Sequence, residues 1–250
     1  MTALSRVRAV LRGLVAVLLF AVFGVGALAI TPLMLILRKP ERCQPVVRFT
    51  WRILLGAFVL LRLIRLSHDE AIKSLRGRVI AANHPTLIDV VILTVLVPRT
   101  LYVAKHGLKA NPFMAAIVRA TSLPDDARLP EVAAPYLAQG WNVLVFPEGT
   151  RSPSEGGLQP LRRGAAQLAL RASAPLVCVR IDVSCPVLGK RQRPWDVGSE
   201  RVDFRLRAVD VPVPPVAECG LHAAAVRLTE SIRTHLAGPD PRQEEGRNMV

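Results

Sequence analysis

Twenty-five consecutive residues, Gly13 to Leu37, carry no charge. As a helix rising about 1.5 Å per residue, such a run matches the roughly 30 Å hydrocarbon core of a bilayer. Arg6, Arg8 and Arg12 precede it, and Arg38, Lys39 and Arg42 follow it. A second apolar stretch, Ile53 to Leu61, is bracketed by Arg52 and by Arg62 and Arg65. It is too short to span, which predicts a helix lying along the interface with its arginines reaching for phosphates. Cations on the carboxyl side of the long run outnumber those before it. That bias places the rest of the protein in the cytoplasm at the inner membrane, with the first segment crossing once or forming a re-entrant hairpin with the second. Two other readings stand beside this one. Ala27-Leu28-Ala29 mimics a signal-peptide cleavage site, although the apolar run continues past it to Leu37. A buried helical pair inside a soluble domain has the same pattern.

Bulk composition points the same way. Of 250 residues, 51% are hydrophobic, the formal net charge is +14 and the mean hydropathy is +0.33. Such a charge requires an anionic surface or ligand: nucleic acid, lipid headgroups or phosphorylated substrates. Nucleic acid is disfavoured, because the cations are spread along the chain and only 5% of residues are aromatic, leaving few stacking platforms. Cys43, Cys178, Cys185 and Cys219 show no paired metal spacing and suit reduced thiols in a cytosol-facing domain.

Beyond a polar, irregular stretch at 67–76, read as a linker, short apolar strands alternate with helical runs. Strands are expected near 78–82, 101–104, 142–146 and 176–182, and helices over 86–97, 111–120, 128–139 and 161–172, with Pro135 kinking or interrupting its helix. Residues 201–209 alternate charged and apolar, which predicts a strand with one wet face near a sheet edge. Leu221, Ala225, Leu228, Ile232 and Leu236 line one face of a closing helix. The fold class is therefore α/β, a mostly parallel mixed sheet flanked by helices, preceded by a hydrophobic helical membrane segment. Three regions follow: residues 1–66 membrane-associated, 67–238 the α/β domain, and 239–250 a polar tail expected to fray.

Two stretches carry chemistry. Asn83-His84-Pro85-Thr86-Leu87-Ile88-Asp89 puts a histidine at a strand-to-helix corner and a carboxylate in the first helical turn, where free amides favour it. An imidazole titrates near neutral pH, and a buried carboxylate fixes its tautomer and steadies the cation that forms, so His84 and Asp89 have the makings of a base and its orienter. A capped helix beside a structural histidine explains the same residues. Some sixty residues on, Phe146-Pro147-Glu148-Gly149-Thr150-Arg151-Ser152 ends a buried strand in a turn bearing an acid, a hydroxyl and a guanidinium. Arg151 can bind a phosphate bidentately, Gly149 lets backbone amides come close, and Glu148 can accept from a glycerol-like hydroxyl. A salt-bridged loop is the bland alternative.

In this order, the two stretches resemble the signature blocks of the glycerolipid acyltransferase family, typified by the 1-acyl-glycerol-3-phosphate acyltransferases, over about 76–183. The resemblance implies transfer of a fatty acyl group from an acyl-CoA or acyl-carrier-protein thioester to a lysophospholipid hydroxyl, by default giving phosphatidic acid, with 67–238 as the catalytic domain. His84 is then the general base, Asp89 its partner, and Glu148, Gly149, Thr150 and Arg151 the acceptor site. No cofactor or metal is implied. Lys105 matches a position where the family often has lysine. Thr121-Ser122-Leu123-Pro124-Asp125-Asp126 departs from the family's block, lacking its arginine, for which Arg128 is the nearest substitute. Arg162-Arg163-Gly164 is a further family-like feature and phosphate contact. Asn111-Pro112-Phe113-Met114 with the Pro-Asp-Asp segment resembles a sub-type of aryl polyene lipid pathways, which implies a specialised lipid or glycolipid acceptor. A non-catalytic lipid-binding module remains the alternative from a different class. A hydrolase is disfavoured, since no Gly-x-Ser-x-Gly elbow exists.

Overall fold

A computed structural model describes residues 3–105, 107–108, 115–153, 156–185, 187–189, 192 and 197–237. The uncharged run is divided between two helices, α1 (Ala3–Ala29) and α2 (Thr31–Leu37). The break falls where Pro32, at the start of α2, has no amide to continue the ladder. The second apolar segment is longer than expected: α3 (Pro40–Leu60) has 21 residues and passes through Pro45. Its buried face, Cys43, Val47, Trp51, Leu54, Leu55 and Phe58, recurs at helical spacing, while Glu41, Arg42 and Arg52 are exposed and the half-buried Arg48 donates from Nε to Val95 O at 3.1 Å. Those charges interrupt the apolar run, so its length understates that of the helix. Both α1 and α3 are long and apolar enough to cross a membrane, and α1 leaves Leu4, Val10, Leu14, Leu18 and Val22 exposed.

Residues 67–76 are not a linker. Strand β1 (Ile64–His68) and a 3-10 turn over Glu70–Ser74 occupy most of that stretch, and Ile72 is fully buried. The chain continues through β2 (Val79–Ala82), α4 (Asp89–Leu96), β3 (Thr100–Ala104), α5 (Ala115–Thr121), β4 (Ser122–Pro124), α6 (Leu129–Ala138), β5 (Asn142–Val145), α7 (Gly164–Arg171), β6 (Leu176–Val183), β7 (Val202–Val211) and α8 (Val216–Ala237). Helix α6 runs through Pro135, which is exposed, as is Glu131, whose carbonyl loses its usual donor there. Asn111-Pro112-Phe113-Met114 and the tail beyond 237 lie outside the described residues.

Seven strands form one mixed sheet in the order β1-β7-β6-β2-β5-β3-β4, parallel except for the antiparallel β6–β7 pair. Strand β7 alternates as expected, with Val202, Phe204 and Leu206 buried and Asp203, Arg205 and Arg207 exposed, but it lies inside the sheet because β1 covers its flank. The strand is thus near the edge of the sheet, as expected, but one position in from it. Apolar side chains fill both faces: Ile80, Leu144, Ile92, Trp51 and Phe204 on one, Val79, Val143, Leu168 and Leu228 on the other. Because β2, β5, β3, β4 and β6 share a direction, the segments that follow them converge on one edge of the sheet, where ligands of such sheets bind.

Candidate active site

Pro85 ends the run after β2, and the chain turns into α4 at that shared edge. Asn83 anchors the turn by imitating a strand residue: its Nδ2 donates to Ile181 O at 2.9 Å and its Oδ1 accepts from Ile181 N at 2.7 Å. Asp89 is 0% exposed, and its carboxylate is saturated by its own loop. Oδ2 lies 2.9 Å from His84 Nδ1 and accepts from Thr86 N at 2.7 Å, while Oδ1 accepts from the Thr86 hydroxyl at 2.6 Å. With Nδ1 held on the carboxylate, the His84 tautomer is set so that Nε2 can act as an acceptor. The ring is stacked on Phe146 at 4.2 Å between centroids and 22° between planes. A Thr-x-x-Asp spacing, 86 to 89, is the capping-box pattern, a sequence signal for the Thr86 contact that the histidine spacing alone does not give. Phe146 and Ser152 were visible in the motif without any indication that they support the imidazole.

Glu148 does not face outward from the turn after β5. It is 4% exposed; Oε1 accepts from the Ser152 hydroxyl at 2.6 Å and from His84 N at 3.2 Å, and Oε2 accepts from Gln159 N at 2.8 Å. Ser152 completes the tie, its N donating to His84 O at 2.8 Å and its Oγ accepting from His84 N at 3.2 Å. Both carboxylate oxygens are thus spent on backbone and hydroxyl donors that lock the two loops together around His84, which differs from the outward acceptor role expected of Glu148. The reason is topological: β2 and β5 are parallel neighbours, so their following loops meet side by side. Arg151 also turns inward, its Nη1 donating to Leu188 O and Gly189 O at 2.8 and 2.9 Å. Gly149 adopts φ 62°, and a Cβ there would stand 2.9 Å from Arg162 Nε. The exposed Arg162 therefore lies directly over the glycine, and its amide donates to Pro147 O at 2.8 Å. Thr150 is half-buried beside it.

Lys105 is exposed at the end of β3, two strands from β2, or about 10 Å at the usual spacing. Arg128 follows β4, one strand further out, and is closed on its neighbour, with Nη2 at 2.8 Å from Asp126 Oδ2. Along the flank of the His84 loop lies a cavity of about 420 Å³ whose walls include Asn83, Thr86, Ser152, Cys185 and the Arg180–Asp182 ion pair.

Residues 63–182 match the family model described as Acyltransferase. Among curated proteins, the chain is 29% identical over 166 residues to a 1-acyl-sn-glycerol-3-phosphate acyltransferase alpha of Mus musculus, covering 62% of this chain and 55% of that protein. It is 31% identical over 122 residues to a 1-acyl-sn-glycerol-3-phosphate acyltransferase of Bacillus subtilis, covering 46% of this chain and 60% of that protein. The chain thus spans little more than half the length of these relatives. A crystal structure of the 1-acyl-sn-glycerophosphate (LPA) acyltransferase PlsC from Thermotoga maritima superposes with a TM-score of 0.66 at 18% identity, covering 98% of both chains, which establishes the shared fold.

Proposed function

We propose, on the match of residues 63–182 to the acyltransferase family model, that this chain transfers a fatty acyl group from an acyl-CoA or acyl-carrier-protein thioester to a lysophospholipid hydroxyl, by default 1-acyl-glycerol-3-phosphate, yielding phosphatidic acid. The observation that carries this reading is the His84–Asp89 pair, 2.9 Å apart and braced through the peptide of His84 by Glu148 and Ser152. His84 Nε2 takes the proton of the acceptor hydroxyl as its oxygen attacks the thioester carbonyl. The C–O bond forms, the C–S bond breaks, and the departing thiolate recovers the proton from the imidazolium. A thioester is already activated, so aim and proton transfer suffice and no acyl-enzyme is needed.

In this scheme Arg162, exposed over Gly149, is the principal ligand of the acceptor phosphate, with Lys105 further along the edge; Arg128 is held back by Asp126. Glu148 and Ser152 position the base. Exposed apolar residues along α1 and α3 hold the domain at the bilayer that supplies the acceptor. Substituting His84→Ala should abolish thioester consumption in the presence of lysophosphatidic acid while leaving vesicle binding intact. Full turnover by that variant would refute the mechanism, and vesicle binding with no turnover by the wild type would favour a lipid-binding module instead.

A further inference from the structure

The two faces of the sheet differ at its β1–β7 end. Val202, Phe204 and Leu206 of β7 pack on the face that carries α1 to α5. Successive residues of a strand point to opposite faces, so Asp203, Arg205 and Arg207 stand on the other one. There Val211 packs with α8, while Arg205 and Arg207 are left exposed. Register extends this open face to both neighbouring strands: Asp182 and Arg180 of β6 lie opposite Arg205 and Arg207, and Arg65 of β1 lies opposite Asp203. Both aspartates are already paired. Asp182 Oδ1 is 2.7 Å from Arg180 Nε, and Asp203 Oδ1 is 3.6 Å from Arg65 Nε and 3.8 Å from Arg201 Nε. The side chains of Arg205 and Arg207 have no ion-pair or hydrogen-bond partner among the described residues. Arg180 and Arg207 are moreover a directly opposed pair of like charges, which destabilises a sheet. Arginine thus outnumbers aspartate on a face whose spare positive charge this chain does not itself neutralise.

The bilayer is not the partner, because this face is turned away from α1 and α3, whose exposed apolar residues meet the membrane. What neutralises it is soluble. Its guanidiniums are spread out: Arg205 and Arg207 are about 7 Å apart along β7, and Arg65 and Arg180 are two strand spacings, about 10 Å, apart. Carboxylates on successive turns of a helix stand about 5–6 Å apart and present a matching row. Arg180 and Asp182 also line the cavity of about 420 Å³, as do Asn83, Pro85 and Thr86 of the His84 loop, so one space joins the basic face to that loop. Its volume is that of a small-ligand site. Resting on the acyl-transfer reading above, we propose that this face docks an acidic acyl carrier protein. Carboxylates of a carrier helix meet Arg65, Arg205 and Arg207, and the phosphopantetheine arm enters the cavity past Arg180 and brings the thioester to the His84 loop. The carrier stays on the soluble side while α1 and α3 stay at the bilayer.

The test uses the purified full chain with palmitoyl acyl carrier protein, palmitoyl-CoA and lysophosphatidic acid, and reads binding of a fluorescently labelled holo carrier by anisotropy with no acceptor present. The wild type should bind the carrier with an affinity that falls as salt is raised. Replacing both free arginines, Arg205→Glu with Arg207→Glu, should weaken carrier binding and raise the KM for the carrier thioester by about tenfold, leaving the thermal midpoint, the KM for palmitoyl-CoA and sedimentation with anionic vesicles as they were. Ala237→Trp, which adds bulk at the cavity wall from the exposed end of α8, should raise the KM for both thioesters, since both carry the same arm, and leave that for the acceptor alone. An equal rise in both KM values for the double variant assigns the arginines to a nucleotide and overturns the docking. Lost vesicle binding with carrier binding intact assigns them to lipid and also overturns it, and an unchanged donor KM in Ala237→Trp removes the route of the arm. Carrier binding without turnover by the wild type keeps the docking face and refutes the reaction, whereas turnover of palmitoyl-CoA without carrier binding does the reverse.

Discussion

Replacing Glu148 by glutamine separates a brace for the imidazole from a ligand for the acceptor. The glutamate accepts at both oxygens: Oε1 from Ser152 Oγ and His84 N, Oε2 from Gln159 N. Glutamine must present an NH₂ on one side. If its oxygen serves Ser152 and His84, the NH₂ confronts the Gln159 amide; if it serves Gln159, the NH₂ confronts the His84 amide. Either way a buried donor goes unmet, costing about 1–3 kcal/mol, and charge-assisted bonds become neutral, so a loss of roughly 2–4 kcal/mol is expected. For a domain of this size that lowers the thermal midpoint by roughly 5–15 °C. A misplacement of about 1 Å at a reacting group costs on the order of 10²-fold, so kcat should fall by about that factor below the melting range, with KM for acceptor and thioester little changed. Measuring both parameters over a range of lysophosphatidic acid concentrations decides the matter. A tenfold rise in acceptor KM at unchanged kcat and unchanged midpoint would falsify the brace and restore Glu148 as a substrate ligand.

Asp89→Asn keeps the shape of the carboxylate but not its charge, and should lower kcat by about 10²–10⁴ while folding is retained; a loss under threefold in a stopped thiol-release assay counts against His84 as the base. Arg162→Ala should raise the KM for a phosphorylated acceptor at least tenfold, whereas Arg151→Ala should chiefly cost about 1–3 kcal/mol of stability through its bonds to the Leu188 and Gly189 carbonyls; the opposite pattern in melts and kinetics would exchange their roles. Burial pushes the Cys178 thiol up to about 12 and the Tyr102 hydroxyl up to about 12, the latter despite its bond to Thr121. The native state keeps both protons while the unfolded chain releases them from ordinary values of 9.0 and 10.0, so this stability is complete below pH 9 and is lost as pH rises toward 12. Each pH unit within that window costs about 1.4 kcal/mol per group, and denaturant melts of Cys178→Ala should show a shallower alkaline decline than wild type; identical slopes would contradict the assignment.

Strands β2, β3, β5 and β6 were legible because each is an apolar run bounded by polar turns, buried on both faces as central parallel strands are. Strand β1 was not: Ile64-Arg65-Leu66-Ser67-His68 is short and half-polar, and it is a strand only because β7 lies beside it. Strand β4, three residues at the far edge, depends on β3 in the same way. The length of α3 is not legible in the sequence because its charged residues share a helix with a buried stripe that only a packed neighbour reveals.

By itself the sequence determined the alternation of elements, the uncharged amino-terminal run, and the identity of the histidine and carboxylate, since hydrophobic period and a five-residue spacing are local properties. The tertiary structure alone decided which way Glu148 and Arg151 point. Each side chain could have faced a substrate or the protein, and the choice depended on donors from segments distant along the chain: the amides of His84 and Gln159 for the acid, the carbonyls of Leu188 and Gly189 for the guanidinium. A buried carboxylate settles where its hydrogen bonds can be met, and those partners come together only when parallel strands set their loops side by side.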